Sequence, residues 1–168
     1  MSLSRPAFVL FSLFGLAACG FQPLYGERTD FAIADKFAEI QVAPIADRVG
    51  QQLRNALIAQ LYVRGRAERP SYRLNTVINE TTSSLAVRKS TLATRANLKM
   101  TAQFNIQKIA DGQQIMNASN TATVSYNILD SEFGTLMAEK NARERAVQQL
   151  ANDIRSRLAA MFTSGKAL

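Results

Sequence analysis

From Leu98 to Ile106 the chain alternates without a break. Leu98, Met100, Ala102, Phe104 and Ile106 fall on one side, and Lys99, Thr101, Gln103 and Asn105 on the other. A period of two belongs to an extended strand with one buried face. This segment therefore demands a sheet with one solvated side and one apolar side that another element must cover. A turn signal, Asp111-Gly112, follows, and Ile115 to Tyr126 makes the next strand. Register selects the loop between them. A two-residue Asp-Gly loop would set Phe104 opposite Ser119 and Ile106 opposite Asn117, spoiling the apolar face. A three-residue loop, Ala110-Asp111-Gly112, sets Phe104 opposite Ala118, Met100 opposite Ala122, Leu98 opposite Val124 and Ala96 opposite Tyr126. A slip of one residue turns every side chain to the other face. The longer loop is expected, with Gly112 in the left-handed position of a bulged hairpin.

The remaining elements follow from the same patterns. Phe37 to Ile45 alternates through Ala38, Ile40 and Val42, a first strand ending at Pro44. Asp47 is placed to cap a helix over Val49 to Arg64, where Val49, Leu53, Ala56, Leu57 and Leu61 form one stripe and Gly65 supplies the stop. Tyr72, Leu74, Thr76 and Ile78 alternate as a second strand. Its continuation from Thr81 to Val87 is polar and rich in Ser and Thr. A final helix runs from Glu132 to Phe162, with Val147, Leu150, Ile154, Leu158 and Met161 at spacings of three and four. A strand joined to the next through a helix favours a parallel pair, and the last three strands should meander antiparallel. The expected fold is α+β, a two-layer sandwich of order β-α-β-β-β-α. Its four-stranded mixed sheet is covered on one face by two helices. The other face is more polar and open to a partner.

The N-terminus says where such a domain works. Arg5 forms a basic opening, Ala7 to Leu16 an apolar run, and Leu16-Ala17-Ala18-Cys19 a small-residue approach to the only cysteine. An apolar run of about ten residues is too short to span a bilayer as a helix and reads as a signal peptide. The pattern is a lipoprotein processing site: residues 1–18 are removed and Cys19, lipidated, opens the mature chain. An ordinary secretory signal with an incidental cysteine is the alternative. Residues 19–36, with Gly20, Pro23 and Gly26, read as a loosely packed tether, 37–163 as one domain and 164–168 as a tail. With its one thiol acylated the domain has no disulfide, so packing alone must hold it. Two or three acyl chains make membrane attachment effectively permanent.

Charge is unevenly placed. Without Arg5 the chain carries 19 basic against 13 acidic residues. Arg64, Arg66, Arg69, Arg73, Arg88, Lys89, Arg95 and Lys99 lie in one stretch that holds only Glu68 and Glu80 in opposition, and this stretch accounts for the whole excess. Concentrated charge of one sign points to a polyanionic partner. A solvated basic face is the alternative that charge alone leaves open. The best local candidate is the Ser/Thr-rich connection with Arg88, Lys89, Arg95 and Lys99. Its guanidinium groups and hydroxyls suit phosphate and sugar, and Leu85, Val87 and Leu92 offer contact for acyl chains. An exposed hairpin tip is its plain structural reading.

Catalysis is disfavoured. The chain has no histidine and its one cysteine is taken by lipid, which excludes Cys–His and Ser–His–Asp chemistry and leaves zinc without its usual ligands. No glycine-rich turn links a strand to a helix. Glu132, Glu139, Glu144 and Asp153 on the final helix read as solvated charges. No metal site and no cofactor beyond the covalent lipid is expected. Exported anchoring sets nucleic acid aside as a partner, and a binding or assembly role remains.

The run Cys19-Gly20-Phe21-Gln22-Pro23-Leu24-Tyr25-Gly26 resembles the mature start of lipopolysaccharide-assembly lipoproteins of the LptE family. The likeness continues through Thr94-Arg95-Ala96, Ser125-Tyr126-Asn127 and the Ala/Arg/Glu-rich helix from Ala138 to Leu150. It covers nearly the whole mature chain; the motif after the cysteine is the specific part. The resemblance implies two helices on a four-stranded mixed sheet. It implies an outer-membrane lipoprotein at the periplasmic face that plugs the LptD β-barrel, helps it fold and helps deliver lipopolysaccharide to the cell surface. Gly20 is compatible with outer-membrane sorting, since it is not the aspartate associated with inner-membrane retention. The family's basic residues near the sheet end imply lipopolysaccharide contact at Arg88, Lys89, Arg95 and Lys99. The reading of a different class is a free-standing envelope lipoprotein that binds anionic polymer or scaffolds cell-wall machinery.

Overall fold

A computed structural model describes residues 27–85 and 94–164. The expected signal segment, Cys19, Arg88, Lys89 and the tail beyond Ser164 lie outside the described residues. Two compact units divide the chain between Phe31 and Ala32; the described part of the first is the opening of a helix, α1 (Glu27–Ala38). The second unit holds β1 (Ile40–Val42), α2 (Asp47–Leu61), β2 (Tyr72–Leu85), β3 (Thr94–Lys108), β4 (Gln114–Ile128) and α3 (Glu132–Thr163).

The sheet runs β1-β2-β3-β4, with β1 parallel to β2 and the other pairs antiparallel. The two-layer architecture is as expected, with a helix added before the first strand. That helix corrects two expectations. The tether is helical from Glu27, and the strand drawn from Phe37 shrinks to three residues. Ile33 and Phe37 stand four apart on one helical face, and both pack on the core. This spacing outweighs the alternation through Ala38. Pro44, which lacks an N–H, follows the strand closely. Tyr62 fastens β1, its hydroxyl donating to the Ile40 carbonyl at 2.6 Å.

Asp47 does not cap α2. It is the first helical residue, at φ 67°, and Ala46 stands at the cap position without a side-chain bond. The expected stripe on α2 holds, with Leu53, Leu57 and Leu61 buried against the sheet and α3. On α3, Leu150, Ile154 and Leu158 are fully buried, and Ala142, Ala146 and Ala151 keep the helix close to β4. Ser131 caps α3, its hydroxyl accepting from the Gly134 N–H at 3.2 Å. Burying an apolar side chain of this size contributes roughly 1.5–3 kcal/mol, so these rows hold the two layers together.

The β3–β4 register is the one the apolar face requires: Phe104 opposite Ala118, Met100 opposite Ala122, Leu98 opposite Val124 and Ala96 opposite Tyr126. Gly112 takes φ 71°. The loop itself is longer than three residues. The strands end at Lys108 and Gln114, and a bulge beside Gln107 absorbs the extra residue. The polar continuation of β2 is strand as far as Leu85.

Candidate functional site

Alternation along three long strands gives the sheet two chemically opposite faces. The helix-covered face holds Leu74, Leu98, Met100, Phe104 and Ile106. On the open face, β3 presents Arg95, Asn97, Lys99, Thr101, Gln103 and Asn105 between residues of β2 and β4 that are mostly hydroxyls and amides, with the exposed Val77 opposite Gln103. Across these three strands the open face carries no carboxylate.

Arg95 and Lys99 stand on this face at the end of the sheet nearest the β2–β3 connection, both exposed. Four residues along one strand separate them by about 13 Å. Lys99 lies between Thr81 and Thr123, and Arg95 between Leu85 and Asn127. Asn97 separates the two cations, and its amide oxygen accepts from the Ser125 hydroxyl at 2.7 Å. Thr101 and Thr121 share a hydrogen bond at 3.1 Å, and the Asn75 amide donates to the Asn105 side-chain oxygen at 3.1 Å. Neither cation has an ion-pair partner among the described residues. The arrangement offers two uncompensated positive charges amid neutral hydrogen-bonding groups, suited to phosphate and hydroxyl ligands. The structure thus brings Arg95 and Lys99 onto one face. Arg88 and Lys89 fall in the undescribed connection.

The opposite side of the same sheet end uses its charge differently. Arg143 of α3 donates from Nε to Glu80 Oε2 at 2.9 Å and from Nη2 to Glu80 Oε1 at 2.7 Å, and also reaches Glu139 Oε1 at 2.6 Å. These side chains are only 25–31% exposed, so the contact is partly shielded from water. Hydrogen bonding to Glu80, opposed by burial and reinforced by Glu139, raises the guanidinium above its ordinary range. Arg143 is committed to structure and is not free for a ligand. Glu139, read from sequence as a solvated helix charge, belongs to this contact. A basic residue four places after Glu139 was the available sequence signal; no pattern in the chain announced the partner on β2.

Sequence reasoning also passed over Asn120. It sits on the helix-covered face, 7% exposed, and neither its amide oxygen nor its nitrogen has a partner among the described residues. It stands in the alternation where an apolar residue is expected, between Ala118 and Ala122. Among the described residues no group of three or more Asp, Glu or Cys side chains gathers as for a metal ion.

The family model LptE, lipopolysaccharide-assembly, matches residues 37–158. No curated protein matches the sequence. Two solved structures share the fold. A candidate lipoprotein of Caulobacter crescentus CB15 superposes with a TM-score of 0.63 at 20% identity, over 80% of this chain and 97% of that one. A minor lipoprotein of Acinetobacter baumannii superposes at 0.51 and 17% identity, over 72% of this chain and 91% of that one.

Proposed function

We propose, from the premise that this chain belongs to the LptE family of lipopolysaccharide-assembly proteins, that it is a non-catalytic outer-membrane lipoprotein. Lipid on Cys19 anchors it at the periplasmic face, where it plugs an LptD-like β-barrel and assists its assembly. Through that complex it serves the delivery of lipopolysaccharide to the cell surface. The observation that carries the ligand side of this reading is the open sheet face, on which Arg95 and Lys99 stand uncompensated among neutral hydroxyls and amides. Phosphate groups of lipopolysaccharide match those cations, and its sugars match the donors and acceptors around them. Arg88 and Lys89 extend the same charge along the connection.

Two measurements test the reading. Mild detergent extraction of native envelopes should recover the protein with a large barrel. Recovery of the lipoprotein alone would favour the free-standing envelope role instead. The variant Arg95→Glu/Lys99→Glu should weaken lipopolysaccharide binding by about tenfold or more, as expected when charge-assisted hydrogen bonds are reversed. Its denaturation midpoint should hardly move, since both side chains are exposed. Unchanged binding would remove these cations from the ligand site.

A further inference from the structure

Among the described residues β4 ends the strand order and pairs only with β3. Two hydrogen bonds fix which of its main-chain groups face outward. The Lys108 N–H donates to the Gln113 carbonyl and the Ile109 N–H to the Ser71 carbonyl. Even-numbered residues of β3 therefore bond toward β4 and odd-numbered ones toward β2. Through the pairing of Ile106 with Met116, even-numbered residues of β4 bond back to β3. The N–H and C=O of Asn117, Ser119, Thr121, Thr123 and Ser125 are left facing the free edge. Arg145 agrees with this phase, since its guanidinium donates to the outward Ser125 carbonyl at 3.4 Å. From Asn117 to Thr123 no bond among the described residues reaches these outward main-chain groups.

Edge strands are ordinarily blunted by charge, proline or brevity. The 15 residues of β4 contain no charged residue, no proline and no glycine. Alongside the edge, between β4 and α3, lies an open groove of about 700 Å³ lined by Asn120, Asp153, Ser156, Arg157 and Ala160. The unpartnered Asn120 amide belongs to its floor. A strand added to this edge would set one residue directly opposite Asn120 in a non-hydrogen-bonded pair, where Cα atoms stand about 4.5 Å apart and side chains are closest. That side chain would enter the groove beside the amide. Asp153 and Arg157, one turn apart, make no ion pair with each other. Arg145 stands further along the same edge at Ser125, so groove and edge together carry the cations Arg145 and Arg157 and the anion Asp153. That balance disfavours a second copy of this chain and suits a segment bearing a carboxylate.

We propose that the edge of β4 from Asn117 to Thr123 docks an extended segment of a partner polypeptide as a fifth strand. The segment places a hydrogen-bonding side chain opposite Asn120 and a carboxylate at Arg157. The identification of the partner as the barrel protein rests on the function proposed above; the edge and its phase do not.

The test is residue-resolved hydrogen exchange on the protein alone and on its complex with the barrel extracted from native membranes. In the free protein the amides of Asn117, Ser119, Thr121 and Thr123 should exchange quickly, and those of Ala118, Asn120 and Ala122 slowly. In the complex the four odd-numbered amides should slow by about 100-fold, as amides do on entering a ladder. The variant Thr121→Pro removes one outward donor and the hydroxyl contact with Thr101 but no main-chain bond to β3, and should weaken the complex by about tenfold, the equivalent of one lost hydrogen bond. A complex in which the four amides exchange as in the free protein overturns the proposal and leaves the barrel partnership standing. Protection that grows with concentration in the free protein also overturns it, by giving the edge to a second copy. Failure to form any complex removes both readings.

Discussion

Arg143 and Glu80, 63 residues apart, meet through hydrogen bonds from both Nε and Nη2, which tie the first half of the final helix to the second half of the second strand. Replacing Arg143 by Met would leave Glu80 and Glu139 partly buried without their counter-charge. We expect a loss of roughly 1–3 kcal/mol, the range for stranding a hydrogen-bonded charge. A double-mutant cycle with Glu80→Gln, read from urea midpoints, should return a coupling of about 1 kcal/mol or more. A value near zero would class the pair with ordinary exposed ion pairs.

Tyr126 lies beside this contact. Burial, then the carboxylate of Glu139, pushes its phenol above the ordinary value of 10.0, with Arg143 and a hydrogen bond to Thr82 pulling the other way. The folded protein therefore holds this proton more tightly than the unfolded chain does. Its contribution to stability is complete below the unfolded value near 10 and is lost as pH rises through the folded one. Denaturant midpoints should fall above pH 10, and Tyr126→Phe should make that fall shallower. An unaltered alkaline profile in the variant would assign the fall to other groups.

Gly50 sits in the first turn of α2, where an added Cβ would meet the Ile45 side chain at 2.7 Å and its main-chain carbon at 3.1 Å. Ile45 is itself 2% exposed and cannot swing into solvent. Gly50→Ala, which favours a helix in isolation by about 1 kcal/mol, should here destabilise by about 1–3 kcal/mol through overpacking. Thermal unfolding of the variant checks the sign; a higher melting temperature would mean that Ile45 yields.

The sheet was legible because period-two patterning and register are local and strict. Leu98 to Ile106 left one pairing with Ala118 to Val124 that kept apolar faces together, and that is the pairing found. The α2 and α3 stripes were legible for the same reason. Beyond the core, local pattern failed. Phe37 fits both a helical and an extended reading, and only its burial against Phe162, ring centroids 6.3 Å apart, decides. The cations were readable as a cluster but not as a geometry. Arg95 and Lys99 share a face because their spacing is even within one strand, whereas Arg143 found its carboxylate on a strand distant in sequence. Asn120 is legible only as an interruption, and what it faces requires the helix above it.

The open face of the sheet is separated from the packed layer by the strands themselves, so the groups that would touch a ligand contribute little to folding. Substitutions among Asn97, Lys99, Thr101 and Gln103 change the chemistry of the open face while leaving the interior as it was. A scaffold divided in this way lets natural variation rewrite its exposed surface without risking collapse.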